Sequence, residues 1–391
     1  MTKALRFIAD RYLVLPLGAM AALAWANSRP ESYFVFAHRW SFAVNNVGMA
    51  LVFGLVTREV VEATASDGAL HTWRQVLLAV VAAAGGIGGS AVMYLAYLSA
   101  GDESSILARG WPIAGATDIA FSYLLARSFC RSAAVPVLLL MGIAGNAIGM
   151  VILEVRDPIV GGHAIGVSYI ALAFWIGIAF RNCDVRSFWP YVLGGGAVSW
   201  WGLYQSGLNP ALALVPIVPF LPRTVRGRDV FTEARPRVRS PLSQFERSAR
   251  YPAQVVLLLF TLVNAGVMFH GFGPGTWAVL LAALAGKPLG VLLGVGVAIA
   301  LGLRLPYGVG WRDVVVVAFA SSMGLTFALF FATATFPAGP LLAEAKFGAL
   351  LTAGVCLLTF GGAQLIHIGR LAVPVNRASV KAAESGVLAG V

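Results

Sequence analysis

Charge is scarce in this chain of 391 residues. Asp, Glu, Lys and Arg make up 12% of it and hydrophobic residues 59%, giving a mean hydropathy of +0.81. Those values lie far outside the soluble globular range and leave no room for a soluble domain. Cysteine is almost missing too: Cys130, Cys183 and Cys356 are scattered without metal-ligand spacing, so neither a disulfide framework nor a zinc site is suggested. His38, His71, His163, His270 and His367 form no metal or triad spacing. A glycine-rich phosphate loop ending in lysine is also lacking. The expectation is a protein without cofactor or metal site, and not an enzyme.

What is present is a recurrence of apolar runs of about 20 residues, the length that crosses a bilayer as a helix. Helices are predicted near 12–26, 41–57, 75–98, 111–126, 133–153, 164–180, 188–204, 208–221, 252–270, 275–301, 314–336 and 347–368. That makes an all-α integral membrane protein of twelve spans, with 1–391 as a single transmembrane domain. If both termini are cytoplasmic, the inside segments collect most of the Lys and Arg, and the outside keeps Arg29, Arg39, Arg109, Arg156 and Lys346. This bias is the positive-inside pattern. The net charge of +11 therefore reports orientation in the membrane and not a nucleic-acid partner. Lys3, Arg6 and Arg11 precede an apolar stretch as in a signal peptide, but more spans follow Ala22 to Asn27 at once, so a retained first helix is expected. The segment 223–250, with eight arginines, reads as a solvated cytoplasmic loop beside anionic headgroups.

Two ionisable residues fall inside predicted spans. An ion at mid-bilayer costs roughly 2.5 to 3.5 kcal/mol on insertion scales, so each calls for a functional reading. Asp118 follows Gly110, Pro112 and Gly115, which loosen the helix ladder. Such a break is tolerated at membrane depth only where protein or water satisfies the freed backbone. Asp118 is thus expected at a binding site, the bland alternative being a cap on the second half-helix. Lys287 stands in LAALAGKPLGVLL, too deep to snorkel, and needs a partner; Asp118 is the best-placed candidate, with a purely structural pair as the alternative. GATDIAF at 115–121 has a faint echo in GLTFALFF at 324–331, which adds Thr326 to the site. Each echo would be the middle helix of a three-helix unit, near 75–155 and 275–370, and an odd number of spans inverts one unit relative to the other.

The residues that carry a family resemblance run along most of the chain. They are Ala26-Asn27-Ser28, Asn45-Asn46 with Met49 and Glu59, Gly110-Trp111, Ala116 to Phe121, Ser206-Gly207, Asn264 to Val267, Gly286 to Gly290 and Gly324-Leu325-Thr326. With them the chain resembles the bacterial NhaA sodium/proton antiporters. The resemblance implies the NhaA-like fold with two inverted three-helix repeats and two broken, crossing helices. It implies exchange of a monovalent cation, Na+ or Li+, for protons across the bacterial inner membrane. Thr117 and Asp118 would sit at the break of helix four and Lys287 would be the buried lysine of helix ten. Glu59 and Glu246 would match acidic positions of the cytoplasmic funnel tied to pH response.

One departure bears on the chemistry. The family's fifth helix carries two adjacent aspartates, and here Asn146 and Ala147 stand in their place. Asn146 offers a neutral carbonyl, so the expected ion site is Asp118, Thr117, Asn146 and Thr326 with Lys287 as the titrating group. Glu154, seven residues and about 10.5 Å beyond Ala147 on the same helix face, is the alternative source of a carboxylate, but with Arg156, Asp157 and Pro158 next in line it reads as an interfacial carboxylate. Two alternatives follow from the missing pair: a different, anionic substrate on the same fold, or a homologue that no longer transports. The short link from Ser28 to Trp40 leaves little room for the β-hairpin through which relatives dimerise, which weakens the case for a homodimer.

Overall fold

A chain that meets lipid instead of water must bond its own backbone, and helices do this within one segment. The computed structural model describes residues 14–63, 73–101, 106–119, 134–156, 165–223, 240–269, 271–305 and 309–354, and no strand occurs among them. In chain order the helices are α1 Val14–Ser28, α2 Pro30–Phe42, α3 Met49–Ala63, α4 Trp73–Ala100, α5 Trp111–Gly115, α6 Ala134–Arg156 and α7 Ile165–Asn182. They continue with α8 Ala197–Ser206, α9 Pro241–Asn264, α10 Pro274–Leu281, α11 Lys287–Ala300, α12 Trp311–Ser321, α13 Leu325–Thr335 and α14 Pro340–Leu351. Among the described residues four stretches are long and apolar enough to cross a membrane, Pro30–Glu62 (α2 continuing into α3), Trp73–Ala100 (α4), Ile165–Asn182 (α7) and Pro274–Ala300 (α10 continuing into α11), or five if α12 and α13 form one bent span. The outer surface is apolar: Val35, Val92 and Leu293 are each 70% exposed. Lipid, not water, suits that face.

Three expectations need correction. The predicted helix 208–221 is a string of turns with short 3-10 pieces at Pro210–Leu212 and Val218–Phe220. Pro210, Pro216, Pro219 and Pro222 remove the donors a helix would use. The link from Ser28 to Trp40 is helical except at Arg29. Pro30 restarts the helix at once, in the first-turn position where a missing N–H costs nothing. Finally, the end of the basic segment is not loop: α9 begins at Pro241, capped by Ser240, whose hydroxyl accepts from Ser243 N–H. Phe121, the helix ends beyond 119 and 354, loop residues 224–239, and Cys130, Cys356, His71, His163, His270 and His367 lie outside the described residues.

The tightest packing sets the functional geometry. In lipid, helices associate through close backbone approach, which small residues permit. A methyl added at Gly89 would lie 2.3 Å from the Gly286 carbonyl oxygen, and one at Gly290 2.2 Å from that of Gly85. These glycines put α4 and α11 in backbone contact on either side of Lys287. A π turn at Ala282–Gly286 feeds directly into Lys287. Such turns re-aim the residues that follow them and recur at functional sites.

Candidate functional site

Two helices break off at the same place. After α5, Ala116 turns to extended backbone, with φ −63° and ψ 146°, and residues 116–118 belong to no helix. Between α12 and α13 the chain bends by 46°, with Ser322, Met323 and Gly324 at the break. The two breaks touch. Asp118 N–H donates to the Met323 carbonyl at 2.6 Å. Gly324 is so close that a methyl on it would lie 2.8 Å from Ala116 O, which is why the position has no side chain.

Asp118 therefore caps the helix of the opposite break. Its Oδ2 accepts from Thr326 N–H at 3.1 Å and from Thr326 Oγ1–H at 2.6 Å. Gly324, the N-cap of α13, has no side chain to satisfy those first donors, so a carboxylate from the opposite break does it. The positive end of α13 then faces a negative charge. Lys287 is placed the opposite way. Its ammonium donates to the carbonyl of Ala116, which the break has freed, and to Thr117 Oγ1 at 2.8 Å. Its hydrogen bonds go to the two residues that precede Asp118, so each ion is seated by a helix break and the two seats adjoin.

Asn146 comes from α6. Its Oδ1 accepts from Thr117 N–H at 2.9 Å, and its Nδ2 donates to Thr117 O at 2.8 Å. All five residues expected at the ion site, Asp118, Thr117, Asn146, Lys287 and Thr326, are thus brought together, each 2% or 3% exposed. Asp118 was the expected partner of Lys287, but the hydrogen bonds of the lysine go instead to Ala116 O and Thr117 Oγ1, and polar groups this deep are tolerated only with such bonds made.

Glu59 and Glu246 meet elsewhere, at the end of α3. Arg58 joins them: its Nη1 lies 2.7 Å from Glu59 Oε1, and its Nη2 lies 2.6 Å from Glu62 Oε2 and 2.7 Å from Glu246 Oε2. Sequence reasoning missed Arg58 and Glu62. The signal was available, since Glu62 is four residues after Arg58 and shares its helix face. Among the described residues no cluster of His, Cys, Asp and Glu could hold a metal.

This architecture has relatives. The sequence model of the family described as Na+/H+ antiporter 1 matches residues 9–363. The chain belongs to the Na+/H+ antiporter 1 family. A Na+/H+ antiporter NhaA of Geobacter metallireducens is 36% identical over 382 residues, covering 95% of this chain and all of that protein. One of Desulfitobacterium hafniense is 34% identical over 380 residues, covering 94% of this chain and 97% of the relative. The solved structure of the sodium proton antiporter MjNhaP1 from Methanocaldococcus jannaschii at pH 8 superposes with a TM-score of 0.59 at 14% identity, covering 92% of each chain. That likeness shows a shared antiporter fold. Within the family, this member is a membrane protein whose α6 sets Asn146 against the first break, while the neighbouring Ala147 is exposed.

Proposed function

We propose that the chain exchanges a monovalent cation, Na+ or Li+, for protons across the bacterial inner membrane, with both termini in the cytoplasm, and that it is a transporter with no enzymatic step. The observation that carries this reading is the seat of Lys287. A freed backbone carbonyl and a hydroxyl, with a carboxylate on the next residue, form a compact oxygen site suited to a small monovalent cation, and the ammonium of Lys287 fills it. When Lys287 releases its proton, the neutral amine no longer competes for those oxygens. A cation then takes Ala116 O, Thr117 Oγ1 and the Asp118 carboxylate. On the other side of the membrane a proton returns to Lys287 and the ammonium expels the cation. One positive charge replaces one positive charge, so the charge count supports exchange of one proton per cation.

The sign of the pH effect follows from this competition. As pH falls, a larger share of Lys287 is protonated and seated, so the apparent KM for Na+ rises. Glu59 and Glu246 are assigned the pH response of the inner mouth, with Arg58 and Glu62 in the same cluster. Five residues of α3, a rise of roughly 7.5 Å, separate Arg58 from Phe53. The Phe53 ring packs against Phe327 and Phe330 of α13 with centroids 5.4 Å and 5.2 Å away. A change of charge at the mouth thus has a short, packed route to the helix that binds Asp118.

The test is a proton-gradient flux assay in proteoliposomes across alkali cations and simple anions. Sodium or lithium should dissipate the gradient in the parent and not in Asp118→Asn. Exchange that survives that substitution would sink the mechanism. Gradient loss driven by anions instead would overturn the cation assignment.

A further inference from the structure

We infer that Asn146 is a positioning residue for the cation site and not one of its ligands. The inference deepens the antiport reading and rests on it for its kinetic consequence only. Three residues of α6 at helical spacing, Gly142, Asn146 and Gly149, form one face toward the crossing. A methyl on Gly142 would lie 3.1 Å from Thr117 Cγ2, and one on Gly149 2.8 Å from the Phe331 ring. The face is bare except for one amide, and that amide sits against the peptide groups of Thr117.

The break at 116–118 strips Thr117 of helical hydrogen bonds, and an unsatisfied backbone group in this medium costs several kcal/mol. Asn146 supplies both partners at once, accepting from the N–H at 2.9 Å and donating to the C=O at 2.8 Å. It acts as a neighbouring strand would, pairing the Thr117 peptide groups where the chain belongs to no helix. A carboxylate could accept from the N–H but could not donate to the C=O, and would repel it; alanine could do neither. The dihedrals of Thr117 fix the direction of Ala116 O and Thr117 Oγ1, which seat Lys287, and the path of the chain into Asp118, which binds Thr326. Asn146 thereby sets the distance between the two seats without touching the ion. The ligand set that remains is Ala116 O, Thr117 Oγ1 and the Asp118 carboxylate.

The experiment compares the full-length parent with Asn146→Ala and the near-isosteric Asn146→Asp. Amide hydrogen exchange of the 112–119 segment is read in detergent, and Na+ and Li+ exchange is read against pH in proteoliposomes. Positioning predicts at least tenfold faster exchange of the Thr117 amide in Asn146→Ala. It also predicts KM for Na+ at least fivefold higher in both variants, and a shift of the pH of half-maximal rate, because the same oxygens seat ammonium and cation. A ligand role predicts the reverse for the carboxylate: KM lower in Asn146→Asp, with no change in amide exchange or pH midpoint in Asn146→Ala. That pattern would overturn the inference. If Asn146→Ala does not fold, the direction of the KM change in Asn146→Asp decides alone. If the parent shows no cation-driven flux, the antiport reading fails while amide exchange still decides the clamp.

Discussion

The deep site and the Arg58 cluster use the same kinds of group in opposite ways. At the end of α3 one guanidinium touches three carboxylates directly, with side chains of the acids 41% to 56% exposed. Water and salt reach the acids there, although the Arg58 side chain is only 9% exposed, so each contact is partly screened. Midway through the crossing one acid and one base are shut away from water. Thr326 holds the acid and Ala116 and Thr117 hold the base, all from interrupted helices. The difference teaches that burial shifts the task of compensation from the counter-ion to fixed backbone dipoles. Direct contact suits a surface. Dipoles that stay in place while an ion comes and goes suit a transport site.

The largest effect that would sharpen the contrast is Asp118→Asn. Removing one of two buried opposite charges leaves the other uncompensated, a loss on the order of 3 to 5 kcal/mol, and vesicle flux should fall by at least roughly 100-fold. Next comes Lys287→Met, which fills the volume but cannot carry a proton. Cation binding measured by calorimetry should become independent of pH, and a pH dependence equal to the parent's would break the picture. Thr326→Val follows, because it removes the hydroxyl and keeps the backbone N–H. A hydrogen bond to a charged group contributes about 1.5 to 3 kcal/mol, so KM for Na+ should change by about tenfold to hundredfold with kcat less affected.

At the mouth the expected numbers are smaller. Arg58→Gln leaves three half-exposed acids without their shared cation, and the pH profile should move while the melting temperature changes by only a few degrees. A collapse of folding would mean that the cluster holds the structure together as the deep site does. Glu62→Gln is the mildest change. Arg58 is buried but keeps two other carboxylates, and Glu62 is 43% exposed, so the loss should be at most about 1 kcal/mol and should shrink in high salt. Persistence of the effect there would erase the distinction between the two regions.

Much of the site could be read before any coordinates. Asp118 and Lys287 stood out because ions are rare in apolar runs, and Gly110, Pro112 and Gly115 announced the break. Asn146 was visible as a departure, but its task was not. A helix that faces lipid and core gives no sign of which turn will meet a peptide group 29 residues away. Apolarity misled at 208–221, where three prolines and a fourth just beyond should have outweighed it, and at the start of α9, where Ser240 and Pro241 already spelled a helix beginning.

By itself, the order of residues determined that this chain lies in a membrane, that it folds into helices, and where one of them is interrupted; the second break followed from the family resemblance. Hydropathy and backbone hydrogen bonding act over a few neighbouring residues, so those outcomes are written locally. Only the tertiary structure decided that Asp118 caps α13 from 208 residues away, that Lys287 rests on Ala116 and Thr117, and that Asn146 pairs with a backbone. Such partnerships depend on which helix backs come within reach, and the glycine contact of α4 with α11 sets that distance.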